Sequence, residues 1–336
     1  MRFGKVLKVG CLGLLAILVL AGIGIWIWKP WNSMVPALMS DPAPQGERIE
    51  QGELLGNYYP AKNAEPAPAI LVIGGSEGAL GAEMTRLAKA LNAEGFSVLH
   101  QSYWRAPGQA QKLERVPLER FMEGLAFLRS RPENDGERLA MMGWSRGSEA
   151  TQLVAIRDPG IKAIVLGMPG SAVWPGFSWE TPWAVFETAW TWQGEDLPAL
   201  IISEHGSFFS DEKEFAETKR KILAMQDDYP ETIIRVEEAQ AAVLMICGGR
   251  DVVWDSCPMA ERQLKRLQAA GRKDAELLAY EDAGHYAYGA PVPKDSAAYK
   301  QLNILGGSVE ANAEALDDAF PKIIAFLKNN LGDNRN

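Results

Sequence analysis

Six short apolar runs separated by stretches of helical pattern constrain what this chain can fold into. The runs are AILVIGG (Ala69–Gly75), FSVLHQ (Phe96–Gln101), RLAMMG (Arg138–Gly143), KAIVLG (Lys162–Gly167), VLMICGG (Val243–Gly249) and AELLAY (Ala275–Tyr280). Helical patterns fall near Ala82–Glu94, over Leu118–Arg129, directly after Ser145, near Met259–Ala270 and from about Ala311 to Leu331. Continuous apolar character marks strands buried on both faces, and the intervening helices supply the crossovers that parallel strands require. The predicted fold class is therefore α/β: a mostly parallel sheet with helices on both faces. With 336 residues and 47% hydrophobic side chains, the chain can bury such a core as one domain, spanning residues 46–336.

One stretch breaks the alternation. Between KAIVLG and VLMICGG, residues 168–242 carry Trp174, Trp179, Trp183, Trp190 and Trp192 with Phe177, Phe186, Phe208 and Phe209. A structureless loop of that length is improbable in a compact domain, so an inserted cap is expected there. Its tryptophans should mostly form the cap's own core. Trp174, Trp179 and Trp183 are candidates for an apolar substrate pocket over the carboxyl edge of the sheet, where ligands of open α/β sheets bind.

Ahead of the domain, VGCLGLLAILVLAGIGIWIW runs uncharged from Val9 to Trp28, after Arg2, Lys5 and Lys8 and before Lys29. A helix needs about 20 residues to cross a bilayer core, whereas the apolar region of a cleavable signal is usually about 7 to 15. Residues 1–28 are accordingly expected to form a single-pass membrane anchor, with a cleaved signal segment as the alternative. The basic residues before the span outnumber those after it, which places the folded domain outside the cytoplasm, periplasmic or extracellular. Residues 29–45, rich in Pro and without periodicity, read as a linker.

Composition excludes several partners. The net charge is -9 and no basic stripe with interleaved aromatics occurs, which argues against nucleic acid. Cys11, Cys247 and Cys257 are too few for a disulfide framework. No His, Cys or carboxylate cluster has metal-ligand spacing, and no Gly-rich loop ends in Lys-Ser/Thr, so neither a metal nor another cofactor is expected.

Chemistry concentrates at G-W-S-R-G, Gly143–Gly147. The pattern fits a nucleophile elbow, a sharp strand-to-helix turn that holds the serine in a strained conformation and needs glycines where side chains would collide. RLAMMG directly before it reads as a strand and SEATQLVAIR directly after as a helix, so Ser145 falls at the junction. Ser148 is an ordinary helix residue. A serine hydroxyl needs a base, and the chain has His100, His205 and His285. Only His285, in YEDAGHYAYG after the last strand, fits the chain order Ser, Asp, His. Between them, VLMICGGRD offers Asp251 at a strand end, with Asp255 as the alternative or as an N-cap. Donors for a developing oxyanion would be the backbone N–H of Arg146 and that of Ser76 or Glu77 in the loop GGSEG, Gly74–Gly78. The Arg146 side chain is expected in solvent.

Taken in order, GGSEG, WRAPGQAQKLERVPLERF, GWSRG, WTWQGEDLP, GGRDVVW and DAGHYAYGAP resemble the catalytic domain shared by acyl-CoA thioesterases and bile acid-CoA:amino acid N-acyltransferases. The likeness runs from about Glu47 to the C-terminus. It implies the α/β-hydrolase fold, a triad of Ser145, Asp251 and His285, and acyl transfer from a thioester with a long acyl chain in an apolar pocket. Members of that family often carry a β-sandwich domain first, for which Pro30–Pro68 is too short. The bile-acid transferases are associated with a cysteine nucleophile, so Ser145 points to hydrolysis. Acyl-CoA is a cytoplasmic metabolite, in tension with an external domain. The expected activity is that of an acyl-CoA thioesterase-like serine hydrolase. Alternatives are a periplasmic carboxylesterase or dienelactone-hydrolase-like enzyme, and a catalytically silent hydrolase-fold protein that binds at the membrane.

Overall fold

The computed structural model describes residues 3–28, 38–62, 65–181, 184, 186–201, 221 and 223–332. Helix α1 (Phe3–Trp28) precedes the domain, and its described side chains, from Gly13 to Trp26, are all exposed. Among the described residues, no helix is long and apolar enough to cross a membrane, so the structure does not support the anchor expected from the sequence.

The domain begins with β1 (Glu47–Gln51), β2 (Leu54–Tyr59) and β3 (Ala67–Ile73). There follow α2 (Ala82–Ala93), β4 (Ser97–Ser102), β5 (Val116–Pro117), α3 (Glu119–Ser130), β6 (Asn134–Trp144), α4 (Arg146–Arg157) and β7 (Ile161–Gly167). The second half holds β8 (Trp190–Trp192), β9 (Glu195–Asp196), β10 (Ala242–Gly248), α5 (Ser256–Ala269), β11 (Ala275–Tyr280) and α6 (Val309–Leu331). The main sheet has the order β1-β2-β4-β3-β6-β7-β10-β11, in which β2 runs antiparallel to both neighbours and the remaining pairs are parallel.

All six expected strands form. The β1–β2 hairpin was not expected, because ERIEQ carries a single apolar residue in a mostly exposed edge strand and offers little hydrophobic period to read. Successive residues of a strand face opposite sides, and this splits the core in two. Leu71, Ile73, Met141, Ile164 and Met245 pack under α3, α4 and α5. Ile70, Val72, Met142, Val165 and Ile246 pack under α2 and α6. Every carboxyl end of the parallel strands therefore opens at one edge of a sheet covered on both faces.

Residues 168–242, read from sequence as an inserted cap, supply β8 and β9, which join β5 from outside the segment in a small three-stranded sheet, and the 3₁₀ turns Pro230–Thr232 and Val236–Glu238. Trp190 is fully buried between Tyr103 and Phe121, with ring centroids 5.7 and 6.0 Å away. Trp183, His205, Phe208 and Phe209 lie outside the described residues.

Candidate active site

Strand β6 ends at Trp144 and α4 begins at Arg146, leaving Ser145 alone in the turn at φ 55°, ψ −121°. That backbone region is strained for any residue with a Cβ and persists only where the surroundings hold it. Here they do: Ser145 N–H donates to Gly167 O at 2.8 Å, and Ser145 O accepts from Ser148 N–H at 2.9 Å and from the Ser148 hydroxyl at 2.6 Å. The elbow glycines have steric reasons. A Cβ on Gly143 would sit 2.2 Å from Gly147 O, and one on Gly147 would sit 2.2 Å from Gly74 O.

His285 follows β11 on a loop that runs beside this turn. Its carbonyl accepts from Trp144 Nε1 at 3.0 Å, and the Trp144 and His285 rings lie 5.3 Å apart. Its Nδ1 is 2.8 Å from Asp251 Oδ2, and both side chains are almost fully buried. Asp251 lies just past β10, where its Oδ1 accepts from the N–H groups of Val253 and Trp254 at 2.8 and 3.3 Å. Two backbone donors to one oxygen leave the other to the imidazole, which fixes ring orientation and favours the Nδ1–H tautomer. Asp255, the alternative acid, occupies the N-cap position of α5 instead.

A disulfide joins Cys247 to Cys257 across the Asp251 loop, one crosslink in a chain whose composition predicted no framework. The His285 loop is braced by Gly306, Gly307 and Asn312. Asp251 bridges Gly306, Ala283 bridges Gly307, and the buried Asn312 accepts from Gly284 N–H at 2.9 Å. Sequence reading missed this brace; the Gly306-Gly307 pair was the visible signal.

The other described histidine has a different role. His100 is fully buried in β4, faces the Thr85 hydroxyl at 3.2 Å, and burial pushes its pKa down to about 3. It is therefore a neutral packing residue at neutral pH.

Arg146 corrects an expectation. Its side chain is buried, not solvated: Nη1 pairs with Glu149 Oε1 at 2.9 Å, and Nη2 donates to Trp174 O and Pro175 O at 3.2 and 2.7 Å. Glu149, itself fully buried, accepts from Trp174 N–H and Trp190 Nε1, each at 3.1 Å. Burial outweighs the pull of Arg146 and lifts the Glu149 carboxyl to about 7. The buried Arg146 guanidinium thus takes Glu149 of its own helix and two carbonyls of the 168–242 segment in place of water.

The loop after β3 lies directly against Ser145. A Cβ on Gly75 would fall 2.9 Å from Ser145 Cβ. Glu77 folds back so that Oε2 accepts from Gly75 N–H at 2.9 Å, and burial pushes its carboxyl up to about 7 although its own N–H and that of Gly75 pull it down. Trp179, expected to line a pocket, donates its indole N–H to Ser76 O and packs edge-on against Phe177. Trp174 stacks obliquely on Trp254, which in turn lies 6.1 Å from His285. Among the described residues, no group of three His, Cys, Asp or Glu side chains could hold a metal ion.

Residues 116–333 match the family described as BAAT / Acyl-CoA thioester hydrolase C terminal. The chain is 27% identical over 297 residues to human acyl-coenzyme A thioesterase 1, covering 87% of this chain and 66% of that protein, so it spans a little under two thirds of the relative's length. Among solved structures it resembles the Pf2001 esterase of Pyrococcus furiosus (TM-score 0.54, 12% identity, 88% of this chain and 97% of that one). It also resembles a dienelactone hydrolase assignment from Klebsiella pneumoniae (TM-score 0.50, 18% identity, 84% and 96%). At these identities the likenesses concern the fold, which is α/β-hydrolase-like with a mostly parallel central sheet.

Proposed function

Since the chain belongs to the BAAT / acyl-CoA thioester hydrolase C-terminal family, we propose that it is a serine hydrolase of acyl thioesters, with Ser145 as nucleophile, His285 as base and Asp251 as the acid that orients it. The observation that carries this reading is the buried His285–Asp251 bond on loops that border a strained Ser145. The Nδ1–H tautomer leaves His285 Nε2 with a lone pair to accept the Ser145 proton. Oγ attacks the acyl carbonyl, the carbonyl π electrons move to oxygen, and collapse of the tetrahedral intermediate expels the thiolate, which recovers the proton from the imidazolium. Water, deprotonated by the same nitrogen, then attacks the acyl-enzyme; its proton returns to Ser145 and the carboxylic acid leaves. Asp251 keeps the ring oriented and stabilises each imidazolium.

The oxyanion would be met by Arg146 N–H, one of the first helical amides that lack an intrahelical acceptor, and by Ser76 N–H. Ser76 is favoured over Glu77 because the Glu77 amide already faces its own carboxylate. Residues 168–242 serve as the cap in this reading, with Trp174 and Trp254 as apolar surface beside His285 for the acyl chain.

The membrane tether belongs to the same proposal. It rests on the uncharged Val9–Trp28 sequence and its flanking charges, and the Cys247–Cys257 disulfide fits an oxidising compartment outside the cytoplasm. Carbonate extraction of membranes and protease accessibility from the outer side test it; a protein released by carbonate would remove the anchor.

The activity is tested with CoA thioesters beside simple oxygen esters of equal acyl length, with Ser145→Ala as control. Thioester preference that disappears in the variant supports the proposal. Dominant oxygen-ester cleavage would replace thioester with carboxylesterase chemistry, and a wild type that neither turns over nor labels with a fluorophosphonate would leave a binding protein.

A further inference from the structure

Every backbone carbonyl from Gly74 to Glu77 accepts a side-chain donor. Tyr103 Oη reaches Gly74 O at 3.0 Å and Gly75 O at 3.2 Å, and Trp104 Nε1 also reaches Gly75 O at 3.2 Å. Trp179 Nε1 reaches Ser76 O at 2.5 Å, and Arg105 Nη1 reaches Glu77 O at 2.9 Å. Three of the donors are consecutive residues at the exit of β4; the fourth comes from the 168–242 segment.

The arrangement is built. Tyr103 and Trp104 are buried, with Tyr103 packed against Phe121 and Trp190 and Trp104 against Phe177. Phe177 exchanges two 2.8 Å backbone bonds with Leu113, which secures the stretch that carries Trp179, and Arg105 lies over the Trp179 ring at 5.8 Å. A turn with glycines at positions 74, 75 and 78 would otherwise sample many conformations. Rigid aromatic donors remove that freedom at little cost in side-chain entropy.

In a trans peptide the N–H points opposite the preceding carbonyl. The donors on Gly75 O therefore dictate where Ser76 N–H points, and that amide has no acceptor among the described residues. Donors on the carbonyl end also polarise the peptide and strengthen its N–H. We propose that Tyr103, Trp104 and Trp179 are positioning residues for acyl transfer: they clamp the turn's carbonyls so that Ser76 N–H is fixed toward the developing oxyanion beside Ser145. This rests on the hydrolase reading of Ser145.

Tyr103→Phe and Trp179→Phe remove one donor each while keeping a ring, and the double variant removes both. Steady-state kinetics would be combined with inhibition by two ketones of the substrate's acyl length: a trifluoromethyl ketone, which a serine captures as an oxyanion adduct, and the methyl ketone, which binds without one. Each single variant is expected to lose about tenfold in kcat, less than the loss of a direct oxyanion donor, with KM and the methyl ketone Ki changed less than about twofold. The trifluoromethyl ketone Ki should rise by the same factor as kcat/KM falls. A purely packing role would lower the unfolding temperature without separating the two ketones, and that result, or unchanged kcat in the double variant, overturns the clamp. Wild-type turnover that survives Ser145→Ala overturns the hydrolase reading, and the clamp with it.

Discussion

His285 and Asp251, 34 residues apart in sequence, share a 2.8 Å bond between Nδ1 and Oδ2 in a site from which both side chains are nearly excluded from solvent. An unpaired carboxylate would be costly there. Its second oxygen takes two backbone N–H groups, so the carboxyl group is aimed by the chain itself.

Asp251→Asn keeps that shape but presents an amide where Nδ1–H needs an acceptor with charge. The expected result is a loss of about 10⁴ in kcat, while Asp255→Asn, at the head of α5, stays within about threefold of wild type. Equal losses in the two variants would show that the wrong acid has been assigned.

Ser145 stores backbone strain at φ 55°. Ser145→Ala should abolish turnover and leave the unfolding temperature near that of wild type, since alanine inherits the strain. Ser145→Gly, equally inactive, should be more stable by about 1 kcal/mol, because glycine accepts that region freely. Thermal unfolding of the three proteins decides this; a destabilised glycine variant would mean that the turn is not strained.

Gly147 lets the elbow helix approach the turn after β3, where an added Cβ would meet Gly74 O at 2.2 Å. Gly147→Ala is expected to cost about 1 to 3 kcal/mol, the usual range for overpacking. Because the displaced atoms belong to the turn proposed to hold the oxyanion donor, kcat should fall more than stability alone explains. Normal kcat in the folded variant would separate the turn from catalysis.

Glu149 makes stability depend on pH. Burial raises its carboxyl from 4.5 to about 7, so the unfolded chain ionises before the folded one as pH rises. Its contribution is full below about pH 4.5 and is lost on the way to pH 7, a change on the order of 3 kcal/mol. Glu149→Gln, which does not titrate, should match wild type near pH 4.5 and exceed it near pH 8. Denaturant unfolding at both values checks the sign, and parallel curves would refute the shift.

The strand-helix alternation, the elbow Gly143–Gly147 and the late loop with His285 were legible in the sequence because each is local. Apolar runs, a glycine two residues either side of a serine, and a strand-end histidine declare themselves within about ten residues. What the sequence did not reveal depends on residues distant along the chain. The edge hairpin β1–β2 shows no period, the donors to the Gly74–Glu77 carbonyls come from loops at 103–105 and from Trp179, and the Gly306–Asn312 brace reaches back to the histidine. Arg146 shows the division most sharply. As a residue type it belongs in water, yet the tertiary fold supplies Glu149 and two carbonyls that satisfy it in the interior. Periodicity reports which faces are apolar; only the packed chain decides which buried polar group finds a partner, since that pairing is set by distances between segments that the sequence keeps apart.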